Sequence, residues 1–206
     1  MRKFLAVLAF LACGQAWANG GSIPPSGIEP GEVQRLQVPG IGRLDYQRLF
    51  EALSDPGESL DAFVLRISPR LRAYSDETGF EACGVLATNG ERFGVVVGSN
   101  RAHIACANFD SFTPTGMTPT GQTIHSHGKD RPSRANKNDL ALMGQQLAAL
   151  GGAGKAMVTV AGQALDAFSS TDFHGGPGYL ATPAGVLHQQ GHPNSVRHVP
   201  QPSLSN

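Results

Sequence analysis

Hydrophobic positions follow two periods along this chain. Leu60, Phe63, Val64, Ile67, Leu71 and Tyr74 recur every three or four residues and predict one buried face of a helix. Asp55-Pro56-Gly57-Glu58, just ahead, reads as the start of that helix: an acidic N-cap, proline at the first helical position and an acid at the third. Pro69 lies inside the pattern and predicts a kink or a split. A second helix is predicted from Leu140, Met143, Leu147 and Leu150, capped by Asn136-Lys137-Asn138-Asp139 and closed by Gly151-Gly152. A brief helical period also runs through Leu44, Leu49, Phe50 and Leu53.

Elsewhere the pattern is strand-like. Phe80 to Thr88 and Arg92 to Val97 flank Asn89-Gly90, a strong hairpin signal. Ala102 to Phe109, Gln122 to His127, Ala156 to Ala161 and Ala164 to Phe168 read as further strands, the last two hinged at Gly162. Gly178 to Leu187 reads as a closing hairpin around Pro183-Ala184-Gly185. The polar stretch Gly128 to Arg134 is a loop. The class predicted is α+β: a mixed β-sheet with about two packed helices.

The ends differ in character. Met1-Arg2-Lys3 is basic, Phe4 to Cys13 is apolar but too short to span a bilayer, and Ala16-Trp17-Ala18 offers a small-x-small cleavage site. Residues 1–18 therefore read as a signal peptide, with a lipoprotein signal acylated at Cys13 as the alternative. Residues 19–54 read as a flexible Pro/Gly-rich arm, 55–188 as the domain and 189–206 as a polar, disordered tail. No second apolar run is long enough to anchor the chain after cleavage, so a periplasmic or secreted protein is expected.

Composition narrows the function. Lys+Arg and Asp+Glu number 16 each, and this balance argues against nucleic acid as a partner. Cleavage would leave two cysteines, Cys83 and Cys106; in an oxidising compartment they form a disulfide, and otherwise they are two buried thiols.

The chemistry centres on His125-Ser126-His127. On a strand, residues i and i+2 point the same way, so both imidazoles can face one ion, and zinc favours neutral imidazole. The bland alternative is two surface histidines at a strand end. A catalytic zinc takes three protein ligands and keeps one position open. Asp172 and Asp139 both fit as the third. Glu81, inside the apolar run Phe80 to Leu86, is either an exposed strand-edge residue or, because an unpartnered buried acid is costly, the candidate general base of a site.

These residues resemble the JAMM (MPN-type) metallopeptidase pattern. Glu81-Ala82-Cys83-Gly84-Val85-Leu86 is similar to its E-x-C-G-x-L strand, His125-Ser126-His127 to its H-x-H, and Ser169-Ser170-Thr171-Asp172 to its S-x-x-D. The usual pattern places the serine eight positions after the second histidine; here Ser169 follows His127 by 42 residues. That spacing, with Phe168 to Asp172 and the hairpin from Gly178 to Gly185, resembles more closely an uncharacterised bacterial JAMM-like domain found in Rhs-type polymorphic toxin proteins. The resemblance implies a cytidine-deaminase-like architecture and zinc on His125, His127 and Asp172 in preference to Asp139. It further implies Glu81 as proton carrier, Ser169 as oxyanion donor, and hydrolysis of an amide or isopeptide bond in a peptide or protein. Two other readings compete: a JAMM-like binding domain without catalysis, and a peptidoglycan peptidase that would enlist His103 with Asp110 at an unsuitable spacing. His103 otherwise reads as a core or edge histidine, His174 as a loop residue, and His188, His192 and His198 as part of the tail.

Overall fold

The computed structural model describes residues 29–144 and 159–201. The expected signal peptide and the far end of the second predicted helix, with Leu147, Leu150 and Gly151-Gly152, lie outside these residues. The fold is α+β. An eight-stranded mixed sheet is built from β1 (Val33–Val38), β2 (Gly42–Leu53), β3 (Ala82–Thr88), β4 (Phe93–Ser99), β5 (Thr118–Ser126), β8 (Gly178–Thr182), β9 (Gly185–Gln189) and β10 (Arg197–His198), in the order β1-β2-β4-β3-β5-β8-β9-β10. β5 and β8 run parallel, and the other neighbours are antiparallel. β6 (Ser133–Arg134) and β7 (Thr159–Val160) form a separate two-stranded ribbon. Three α-helices are present among the described residues: α1 (Leu60–Thr78), α2 (Lys137–Leu142) and α3 (Ser170–His174).

The helical face predicted for α1 is the one it buries. Phe63, Val64, Ile67 and Leu71 pack onto Leu86, Val95, Val97, Ile124, Tyr179 and Val186 of the sheet. The start lies later than expected: Ser59 is the N-cap, its hydroxyl accepting from Ala62 N, while Asp55 to Glu58 form a turn closed by Asp55 N–H on the Glu58 carboxylate. Pro69 neither splits nor ends the helix. The carbonyl of Leu65, which Pro69 cannot bond, accepts the Ser68 hydroxyl at 3.1 Å.

Both predicted hairpins form, β3–β4 and β8–β9. Other boundaries move. Residues 33–38 and 42–53 of the expected arm are strands, with Leu36, Val38, Leu44 and Tyr46 buried in a second core with Ala107, Phe109 and Phe112. The spacing of Leu44, Leu49, Phe50 and Leu53 was compatible with a helix, but a bulge between Arg48 and Phe50 switches the strand's buried side. Ala102 to Phe109 is a loop, tied to β3 by a Cys83–Cys106 disulfide. Ala164 to Phe168 is irregular. The expected tail also folds back: β10 pairs with β9, and Val199 enters the main core. Among the described residues no helix is long and apolar enough to cross a membrane.

Candidate metal centre

The register of β3 against β5 builds the site. Ala82 pairs with Ser126 and Cys83 with His125, so Glu81 and His127 stand opposite one another just beyond the two strand ends. Alternation then sorts the faces. Ser126 turns towards α1, where its hydroxyl meets Ser75 Oγ at 2.7 Å and donates to Leu71 O. His125 and His127 turn the other way, on the side shared by Glu81 and Cys83.

Asp172 arrives from a different part of the chain. Ser169 caps α3, a helix of one turn. The Ser169 hydroxyl accepts from Asp172 N, and Ser169 N–H donates to Asp172 Oδ2 at 2.6 Å, a reciprocal capping box. The strand that follows, β8, lies parallel to β5 with Leu180 beside His125. Helix cap and strand register together carry the carboxylate to the histidines.

Three side chains converge there. His125 Nε2 and His127 Nε2 are 3.3 Å apart. Asp172 presents Oδ1 to His125 Nε2 at 3.4 Å and Oδ2 to His127 Nε2 at 3.3 Å. Their ligand atoms all lie within 4.8 Å of one another, a group that could hold a metal ion. His127 Nδ1 donates to the carbonyl of Ala164 at 2.6 Å, which fixes the tautomer and leaves the Nε2 lone pair directed at the centre. Burial opposes charge on Asp172, but the two imidazoles outweigh it and hold the carboxyl well below the usual range. Burial likewise opposes charge on His127, and Asp172 together with Glu81 overcomes it and raises the ring's affinity for a proton.

Glu81 is 4% exposed. Its backbone is held from both sides: its N–H donates to Ala102 O at 2.9 Å, and Ser99 Oγ donates to its carbonyl at 2.6 Å. Burial raises its pKa, against the pull of His127, His125 and a hydrogen bond from Gln163.

The other candidate ligand, Asp139, is fully buried away from this group. It caps α2 through Asn136 N and accepts from both the backbone and the ring of His103. His103, expected in a strand, belongs to the loop that the disulfide tethers. His174 is outside the convergent group, its Nδ1 against Ser170 O. His188, expected in the tail, is buried in β9 against Gln122.

Two residues of the site belong to none of the motifs. Arg72, buried on α1, donates to His127 O at 2.8 Å and Gly128 O at 3.1 Å and pins the chain just after the second histidine. An arginine beside Leu71, on a buried helix face that holds no other charged residue, is the signal that could have marked it. Gln163 bonds Glu81 Oε1 at 2.6 Å from an irregular segment, and no pattern points to it.

No family model, curated protein or solved structure matches this chain.

Proposed function

We propose that this protein is an exported zinc-dependent hydrolase of an amide or isopeptide bond, built on the JAMM-like plan that its motifs resemble. The observation that carries the reading is the convergence of His125 Nε2, His127 Nε2 and the Asp172 carboxylate beside a buried glutamate. The donor set suits zinc: two imidazoles and one carboxylate, with at least one imidazole fixed by a backbone carbonyl. The 3.3 Å between the two Nε2 atoms is about the edge that bonds of roughly 2.0–2.1 Å subtend at a tetrahedral ion.

When bound, zinc would supply Lewis-acid polarisation and an acidified water at its fourth position. Glu81 would take a proton from the attacking water and deliver it to the departing amine. Its raised pKa suits a group that must both accept and release a proton. Ser169 keeps Asp172 aimed through the capping box. Its hydroxyl accepts in that bond, which leaves its proton for the oxyanion role that the resemblance implies. The peptidoglycan-peptidase alternative needed His103, whose ring is turned to Asp139 instead. Export is consistent with the Cys83–Cys106 disulfide.

The test is metal content and turnover of the chain from Asn19 onward. Near-stoichiometric zinc, with hydrolysis in a library of peptides and isopeptides that Glu81→Gln abolishes while zinc and fold persist, is expected. Zinc without turnover would leave a binding domain, and no zinc after reconstitution would end the metal reading.

A further inference from the structure

We infer that Gln163 is the positioning residue that aims Glu81. The inference rests on the proposed hydrolase only for its kinetic consequence. The backbone of Glu81 is fixed by Ala102 and Ser99, but its carboxylate has one hydrogen-bond partner among the described residues, the Gln163 amide, at 2.6 Å on Oε1. That contact leaves Oε2 as the oxygen able to carry a proton.

The orientation of the amide is fixed by its neighbours. Gln163 Nε2 donates to Glu81 Oε1 and, at 3.4 Å, to Ile104 O; Gln163 Oε1 accepts from Gly128 N–H at 3.1 Å. Turning the amide over would set oxygen against the carboxylate and the carbonyl, and set NH2 against an N–H. All three contacts favour the same arrangement. One end of the side chain therefore touches the residue that follows His127, and the other touches the proposed proton carrier. Gln163 links the ligand strand to the base.

The backbone makes this reach possible. Gln163 N–H donates to Lys129 O at 2.9 Å, and the segment runs so close to the loop after the histidines that a Cβ on Gly162 would overlap the carbonyl of Asp130. The chemistry also excludes the nearest substitutes. Glutamate at 163 would face Glu81 with like charge, and asparagine would fall a methylene short.

The test compares the unmodified mature chain with Gln163→Glu, which preserves the bond from Gly128, and Gln163→Met, which preserves the length. Three readouts are taken on folded, zinc-reconstituted protein: zinc affinity by competition with a chelating dye, the infrared carboxyl band that disappears in Glu81→Gln, and kcat and KM on any peptide that is hydrolysed. The inference expects unchanged zinc affinity, a displaced Glu81 band in both variants, and kcat lower by about 10- to 100-fold with KM little changed. If Gln163→Glu does not fold, Gln163→Met carries the comparison. A Glu81 band unaltered in the folded variants overturns the inference. Absence of zinc or turnover in the unmodified chain overturns the hydrolase reading instead, and the band still decides the role of Gln163.

Discussion

Asp139 receives the backbone N–H and the ring Nδ1 of His103, each at 2.7 Å. A carboxylate can only accept, so Nδ1 carries the proton and the pair is a structural clasp between α2 and the loop from Arg101 to Thr113. This commitment separates the two aspartates that the sequence offered as ligands. Asp139→Ala should leave zinc affinity intact while costing about 1–3 kcal/mol for each buried donor left unpaired. Asp172→Ala should do the reverse, losing zinc with a smaller effect on stability. Paired chelator competitions and urea melts check this; zinc lost from the Asp139 variant in its folded state would reassign the third ligand.

Arg72 offers a second test. Its guanidinium satisfies two consecutive carbonyls, those of His127 and Gly128, and its side chain is buried while its partner Asp76 is exposed. Arg72→Met keeps the apolar stem and strands both carbonyls. We expect a loss on the order of 3 kcal/mol in urea melts. Zinc affinity should fall by about 10- to 100-fold as His127 loosens. An unchanged affinity in a folded variant would mean that the chain after His127 needs no such clamp.

The disulfide makes a third. Cys83 and Cys106 are 23 residues apart, and closing a loop of that size in the unfolded chain stabilises the fold by about 3 kcal/mol. The tethered loop also provides Ala102 O to Glu81 and Ile104 O to Gln163. Reductant, or the Cys83→Ser/Cys106→Ser double variant, should therefore lower Tm, with chelator competition showing zinc still bound. A Tm indifferent to reductant would show that the sheet alone holds the loop.

His188 predicts a dependence on pH. It is 6% exposed, its ring stacks on Tyr179, Nε2 meets Gln122, and Nδ1 is buried without a hydrogen-bond partner among the described residues. Burial, helped by Arg197, lowers its pKa in the fold. The unfolded chain then binds the proton more readily. The stabilisation is complete above the ordinary imidazole value of about 6.5 and is lost as pH falls through the lower folded value. Replacing His188 by Phe should keep the stack on Tyr179 and reduce the fall in Tm between neutral and mildly acidic pH. An identical fall in both proteins would remove His188 as its source.

How much of this could be read from the chain varies by element. The stripe of α1, the Asn89-Gly90 hairpin and the closing hairpin were visible because each rests on local periodicity or turn chemistry. His125 and His127 were visible because strand alternation puts i and i+2 on one side. β2 was missed because a bulge at Arg48 to Phe50 interrupts the alternation that would have announced it, and β1 because its six residues bury only Leu36 and Val38. β10 was missed because a two-residue edge strand has almost no pattern of its own. Distance along the chain hid the rest. Gln163 meets Glu81 across 82 positions and Arg72 meets His127 across 55, and neither contact has a local signature.

The capping box at Ser169 and the parallel register of β5 with β8 have a consequence for relatedness. Asp172 is delivered by the end of one turn of helix and by the strand after it, so its place depends on where that unit docks and hardly at all on how much chain precedes it. Chain length can vary between α2 and β7, clear of Gln163 and Ala164, while the two histidines and Asp172 stay together in space. A search that counts spacings would treat proteins of this plan with different intervening lengths as strangers, whereas one that compares the docked unit, capped aspartate plus parallel strand, would group them.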